Sequence, residues 1–426
     1  MMKSTPWRIK WFKEEHVELC FLLSLMFFMG GNDVIGSFIQ ITNSVISIPY
    51  HIDKLIIYAL VVCIIIVSMK KVLRSIRIED ISIILILLLF ILISWFGQDG
   101  YDRMYFTILF NLSYGICAYF FFLSVSDYAK LIDCFSKLSL FLSVFITLQI
   151  LISGMGGTMS YSQYLGYALL PAAIISINQF LRNRSIIHMI NFVYTTILII
   201  SMGARWPLVC VILFLIVRSI ISPTKLLRKV VLLTALIAIG FVVVYYLDAL
   251  LDFLETAFRG TGLSMRTLIK IRQANFFEDS GRNDIWSYSV KTISNHLFVG
   301  VGIGKDRILI ANYKKAPSLV TGYYPHNIIL EILLHYGAFF GAIVIILMFL
   351  YVAISFKKAI KVARRKQDYA PIDSLVITFA LGFFPLLVSG SYLGWVPFFI
   401  FLGVCTGIMR NHQLLSEESV LSEKII

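Results

Sequence analysis

An all-α, polytopic integral membrane protein is the class the sequence predicts, and three observations predict it. Apolar residues fill 59% of the 426 positions and charged residues only 14%, with a mean hydropathy of +0.86, values a soluble globular chain does not reach. Twelve apolar runs are long enough to cross a bilayer, which takes about 17 to 25 residues each. Lys and Arg fall unevenly on alternate sides of those runs, the asymmetry that orients membrane helices.

The runs lie near 17–37, 53–69, 81–97, 104–125, 135–153, 164–182, 186–203, 206–222, 229–250, 326–355, 373–390 and 393–409. Gly30, Gly31, Asn32 and Asp33 interrupt the first. The N-terminal stretch MMKSTPWRIKWFKEEH is basic and amphiphilic, but no small-residue cleavage site follows the first run, so a retained first helix is expected. Cys20, Cys63, Cys117, Cys134, Cys210 and Cys405 all sit in or beside apolar runs, which argues against disulfide staples and zinc sites.

With the N-terminus placed in the cytoplasm, 24 of the 37 Lys and Arg residues fall on inner segments. The short outer connections hold only Lys54, Arg103 and Arg205. The remaining ten lie in one loop long enough to escape the positive-inside rule. Both termini are therefore expected in the cytoplasm and the large loop outside. The net charge of +13 is then largely a topology signal, and no nucleic-acid partner is expected.

Four regions follow: transmembrane helices one to nine over 1–250, the large external loop over 251–325, helices ten to twelve over 326–410, and a cytoplasmic tail over 411–426. The loop carries ten basic residues against six acidic ones, a net +4, and a cationic cover on one membrane face suggests an anionic substrate. Apolar positions recur at helical spacing over 252–260, 264–277 and 282–295, predicting helices that lie against the membrane surface. Ser280 can cap the third of these and aim its positive end at an anion.

Several residues could carry chemistry. Arg205, in SMGARWPL, has no acidic residue within twenty positions; it is either an interfacial anchor beside Trp206 or a phosphate clamp, for which guanidinium offers a permanently charged fork. Arg282, in SGRNDIW, has Asp284 nearby, and a solvated surface pair is the plain alternative to a substrate role. His326 opens the tenth run in YYPHNIILEILL, at the outer boundary, where a near-neutral pKa would suit a general base. Glu331 lies deeper in that run with His335 four residues on; carboxylates at such depth are costly enough to be functional candidates, pairing with His335 being the alternative. Gly300, Gly302 and Gly304 in HLFVGVGIGKD fit a tight turn better than a phosphate cradle, since no Ser or Thr follows Lys305. No HExxH, outer DxD, Cys/His cluster or Ser/His/Asp set stands out, so neither a metal nor another cofactor is expected.

The order of these pieces, Arg205 at an outer helix junction, then SGRNDIW, then HLFVGVGIGKD, then PHNIILEILLHYGAFFG, resembles the O-antigen ligase and O-antigen polymerase superfamily. The likeness covers about residues 160 to 350; the usual Ser-Arg-Gly before the eighth helix is here Gly203-Ala204-Arg205-Trp206, so the Arg matches and its flanks do not. The resemblance implies a GT-C-like membrane glycosyltransferase that takes a glycan from undecaprenyl pyrophosphate at the outer leaflet of the bacterial inner membrane, inverting and without metal or nucleotide. Arg205 and Arg282 then resemble the pair that holds the pyrophosphate and His326 the histidine that acts on the acceptor. Trp286, Asn327, Tyr324, Arg266 and Glu331 are expected at supporting, substrate-binding positions.

Polymerase and ligase differ only in the acceptor. A Wzy-type polymerase of O-antigen or capsule repeats is favoured because the basic, aromatic stretches GTGLSMRTLIKIRQANFF and YKKAPSLVTGYY would suit a sugar acceptor. A ligase joining chains to a lipid core is the near alternative. A flippase or transporter, from another class, would place its polar residues at the bilayer midplane, whereas here they gather at one face. The partners implied are the lipid-linked oligosaccharide, membrane lipid, and chain-length regulator and flippase proteins.

Overall fold

The computed structural model describes residues 13–46, 52–155, 163–202, 204–221 and 281–411, with isolated positions at 234, 252, 253 and 256. Regular structure among them is entirely helical. Eight helical stretches are long and apolar enough to cross a membrane: Glu14–Asn43, Leu55–Leu73, Ile78–Trp95, Asp102–Leu123, Tyr128–Ile152, Gln163–Asn183, Ala338–Lys366 and Ala370–Leu387. Ile186–Ile200 and Val396–Arg410 are shorter apolar helices. The chain is thus an all-α, multi-pass membrane protein. The ninth expected span, 229–250, most of 252–277, Ser280 and Arg266 lie outside the described residues.

In chain order the helices are α1 (Glu14–Met26), α2 (Asn32–Val45), α3 (Ile52–Leu73), α4 (Ile78–Trp95), α5 (Asp102–Leu123), α6 (Tyr128–Met155), α7 (Gln163–Asn183), α8 (Ile186–Ser201) and α9 (Arg205–Ile221). After the large loop's first half come α10 (Arg282–Asn295), α11 (Lys305–Tyr313), α12 (Ile328–Tyr336), α13 (Ala338–Lys366), α14 (Ala370–Phe383) and α15 (Val396–Arg410). A π-helical turn, Phe27–Gly31, joins α1 to α2, and Gly30 within it leaves helical geometry (φ 154°, ψ 2°), so the polar break kinks the first span into two helices.

Two helices are buried almost all round, α7 and α14, and they form the axis of the bundle. By contrast α3, α4 and α13 expose large apolar side chains such as Leu55, Ile66, Ile93 and Leu347, the surface expected of helices that face lipid tails. Small residues bring neighbours together, as bilayer packing requires. A Cβ on Gly115 would lie 2.4 Å from the Phe399 ring, one on Gly382 2.6 Å from the Pro397 carbonyl, and one on Gly403 2.5 Å from the Tyr119 carbonyl. These contacts seat α15 against α5 and α14.

Two arginine–carboxylate clusters mark one end of the bundle. Arg410 of α15 binds Asp80 of α4 through both guanidinium nitrogens at 2.6 and 2.9 Å. Asp373 at the start of α14 takes Arg218 at 2.7 Å and Arg182 at 3.9 Å. Every one of these Arg residues belongs to a segment expected on the inner side. The described part of the large loop, residues 281–325, and the candidate site lie at the opposite end.

The tenth apolar run, 326–355, is not one helix as its hydropathy suggested. It breaks at Gly337 (φ 83°, ψ 165°) into α12 and the true span α13. The break makes room for the loop after α10: a Cβ on Gly337 would lie 2.7 Å from the Phe298 carbonyl oxygen. Hydropathy averages over a window and does not register a single backbone reversal.

Candidate active site

Local sequence explains how His326 is presented. Asn327, not Pro325 or His326, starts the helix: its Oδ1 accepts from Ile329 N at 3.0 Å and Leu330 N at 3.1 Å, a side-chain N-cap. His326 stands outside the helix with φ 55°, a left-handed backbone that non-glycine residues seldom adopt and that clusters at functional sites.

A neutral loop supports it. After α14 a 3₁₀ turn, Pro385–Leu387, leads into residues 388–395. There the Ser389 carbonyl accepts from His326 Nδ1 at 3.2 Å and from the Tyr324 hydroxyl at 3.1 Å. Asn327 Nδ2 donates to the Leu387 carbonyl at 3.1 Å, and Gln163 of α7 donates to Ser389 Oγ at 2.9 Å. Because a carbonyl can only accept, Nδ1 carries the ring proton and Nε2 keeps its lone pair. That is the tautomer a general base needs.

The electrostatics agree. Burial pushes the His326 imidazole down to about 4 against the pull of the Ser389 carbonyl, and the positive charges of Arg282 and Arg307 push the same way as burial. Tyr324 packs beside it, the two rings tilted by 43° with centroids 4.1 Å apart, and burial raises the Tyr324 hydroxyl above its ordinary value.

Arg282 is the first residue of α10, whose N-cap is Gly281 at φ 83°, without a side-chain cap. One turn on, Trp286 Nε1 donates to the Pro325 carbonyl at 2.7 Å, so the α10 face bearing both residues fixes the segment before His326. The surface pair considered for Arg282 does not form: Asp284 holds Lys314 at 3.0 Å. Arg205 opens α9. Its neighbours set its place: Ala204 faces Gly166 of α7, where a Cβ would come within 2.3 Å, and Trp206 Nε1 donates to the Phe384 carbonyl at 3.1 Å. Arg205 therefore belongs to the end of the bundle where the 388–395 loop begins. Arg205, Arg282, Trp286, Tyr324, His326 and Asn327 are all partly exposed, as groups open to a substrate must be.

Two supporting assignments change. Glu331 is 0% exposed, and its carboxylate accepts from Ser391 Oγ and, at 3.2 Å, from Tyr392 N; it anchors the loop and does not face the cleft. Its expected partner His335 pairs elsewhere, Nε2 lying 3.0 Å from Asp306 Oδ1 and Nδ1 2.8 Å from the Tyr392 hydroxyl. Asn327 has both ends of its amide engaged by the protein, so it shapes the site without a free group for sugar.

Asp306, Glu331 and His335 bring donor atoms within 4.8 Å of one another, a set that spacing did not reveal because α11 and α12 each supply part of it. One carboxylate and one imidazole besides a second carboxylate could in principle hold a cation. Each is already engaged by the protein, however, Glu331 by Ser391 and Tyr392 N, His335 by the Tyr392 hydroxyl and Asp306, and Asp306 by Gly304 N, and each residue is at most 4% exposed. The set is best read as an ionic hub joining α11, α12 and the 388–395 loop.

The glycines of HLFVGVGIGKD serve this hub. A Cβ on Gly300 would lie 2.3 Å from the Leu334 carbonyl oxygen and 2.5 Å from Gly337 N, and Val301 N donates to that same carbonyl at 2.8 Å. Gly304 (φ 90°) is the N-cap of α11 against the Tyr105 ring. Replacing Gly300 with Ala is expected to lower the thermal stability of the purified protein, at a cost of about 1–3 kcal/mol for overpacking. Unchanged melting would show that the backbone approach is not tight.

The fold and this end-of-bundle site define a polytopic helical membrane protein whose polar chemistry sits at one interface. Residues 190–346 match the family model described as O-antigen ligase, which supports the O-antigen ligase and polymerase superfamily and a membrane glycan-processing, glycosyltransferase-like activity. The matched stretch contains Arg205, Arg282 and His326. No curated protein matches the chain.

Proposed function

We propose that the chain is a polysaccharide polymerase that transfers a glycan from undecaprenyl pyrophosphate to the terminal sugar of a lipid-linked repeat unit at the outer leaflet of the bacterial inner membrane, with both termini cytoplasmic. The observation that carries the reading is the His326 imidazole, held neutral with Nε2 unprotonated beside the guanidinium of Arg282. An acceptor hydroxyl attacks the anomeric carbon and gives its proton to Nε2. The bond from that carbon to the pyrophosphate oxygen breaks on the opposite face, and the oxygen leaves with the electron pair. Inversion follows. Arg205 and Arg282 stabilise the growing negative charge as fixed donors in a partly dehydrated site.

Because guanidinium groups supply the positive charge, transfer by the purified protein is expected to persist in EDTA. A strict need for added Mg²⁺ or Mn²⁺ would overturn this part of the mechanism. The ligase reading draws on the matched family's description, and the acceptor separates the two. The surface glycan of a deletion strain, resolved as a ladder on a gel, is expected to show single repeats. Lipid-linked polymer accumulating in that strain would instead make the protein a ligase.

A further inference from the structure

Behind the open site, Arg307 of α11 is a buried cation that the transfer chemistry does not use. It is 7% exposed. Nη1 donates to the Thr321 carbonyl at 2.8 Å and Nη2 to Ser391 Oγ at 3.2 Å, while Ser391 in turn donates to Glu331. The guanidinium carbon lies 5.1 Å from the centre of the Tyr324 ring, and Tyr324 is the residue whose tilted ring packs on His326. One side chain thus joins α11, the 3₁₀ turn Pro317–Gly322, the 388–395 loop and the segment that carries the base.

We propose that Arg307 is a positioning residue for the transfer reaction, holding Tyr324 against the His326 imidazole and clamping the loop whose Ser389 carbonyl supports both. The proposal rests on the reading of His326 as the base. Its geometry needs an arginine: two donors reach two fixed acceptors while the guanidinium carbon sits over an aromatic ring, and an ammonium group cannot do all three. Loss of the side chain would free the Thr321 carbonyl and leave the buried Ser391–Glu331 pair short of a donor. Tyr324 and His326 would then lose their common frame.

The charge of Arg307 has a second consequence. The groups facing His326 are Arg282 from α10, Arg307 from α11, Tyr324 from its own segment and the Ser389 carbonyl from the loop. Only the carbonyl favours the protonated ring, while burial and the two guanidinium groups disfavour it. Removing one of those cations makes protonation easier, so the base is lost at a higher pH.

The test is the pH dependence of kcat/KM for the full-length protein in lipid vesicles, with a synthetic polyprenyl pyrophosphate-linked repeat unit as donor and acceptor. The wild-type acid limb is expected to fall through about 4. Arg307→Gln is expected to move that limb to higher pH by roughly half a unit or more and to lower kcat at neutral pH. Arg307→Lys keeps the charge and loses the fork, so the limb should stay in place while kcat drops about tenfold at unchanged KM. A folded Arg307→Gln protein with an unmoved limb overturns the proposal. Should that variant not fold, wild-type kcat in Arg307→Lys overturns it instead. Full activity of His326→Ala would sink the reading of the base, whereas an inactive His326→Ala beside an unmoved Arg307→Gln profile sinks the Arg307 proposal alone.

Discussion

His326→Ala protein is expected to reach wild-type levels in the membrane and to make no detectable polymer. A positioned general base contributes about 10²- to 10⁴-fold, and this one is partly exposed at the rim of a bundle whose core it does not fill. Insertion and helix packing rest on the buried faces of α7 and α14 and the small-residue contacts around α15, none of which uses this side chain. The sign of the pH dependence follows from the geometry. Burial and two nearby guanidinium groups set the folded value near 4, below the ordinary 6.5. The working neutral form is therefore fully present at pH 7 and is lost as pH falls through about 4. Normal polymer from a well-expressed His326→Ala protein would remove this residue from the mechanism.

The second large effect is expected at the arginines, where a clamp and an anchor predict different orderings. An interfacial anchor needs only a long cationic side chain, so Arg205→Lys would be nearly silent. A pyrophosphate clamp needs two parallel donors to adjacent oxygens, which an ammonium group does not supply. With each charge-assisted bond worth about 1.5–3 kcal/mol, Arg205→Lys should lower turnover by roughly one to two orders of magnitude and Arg205→Ala by more, at about 1.4 kcal/mol per factor of ten. Arg282 should show the same ordering. Asp284 provides the control: it binds Lys314 with its own side chain 66% exposed, so Asp284→Asn should be close to neutral. Turnover of Arg205→Lys equal to wild type, at equal protein level, would return Arg205 to the anchor role.

Much of the frame was legible before any coordinates. Apolar runs and their lengths predicted the second, third, fourth and sixth spans within about four residues of their helices, while the first helix pair runs on to Val45 and the fifth span begins earlier, at Tyr128, and the segment 282–295 was read as the helix Arg282–Asn295. Both follow from periodicity and transfer energy, which act along the chain. The tenth run was misread because the reversal at Gly337 depends on Phe298, almost forty residues earlier in the sequence. Glu331 looked like a site residue for the same reason: its distance from Ser391 and Tyr392 in the sequence hides the fact that they satisfy it. Arg307, one of ten cations in the loop, carried no local signal that set it apart.

By itself the sequence determined the class of the protein and the approximate place of most of its described helices, because hydrophobic length and the cost of charge in lipid allow few alternatives. Only the tertiary structure decided which of the polar residues remain open and which are consumed as supports. His326 is left with a bare Nε2 because the Ser389 carbonyl, 63 residues away in sequence, accepts from its other nitrogen. Asp306, Arg307, Glu331 and His335 are instead consumed by contacts with one another and with Thr321, Ser391 and Tyr392, since buried polar groups are tolerated only when paired, and pairing is a property of distances that no single stretch of sequence contains.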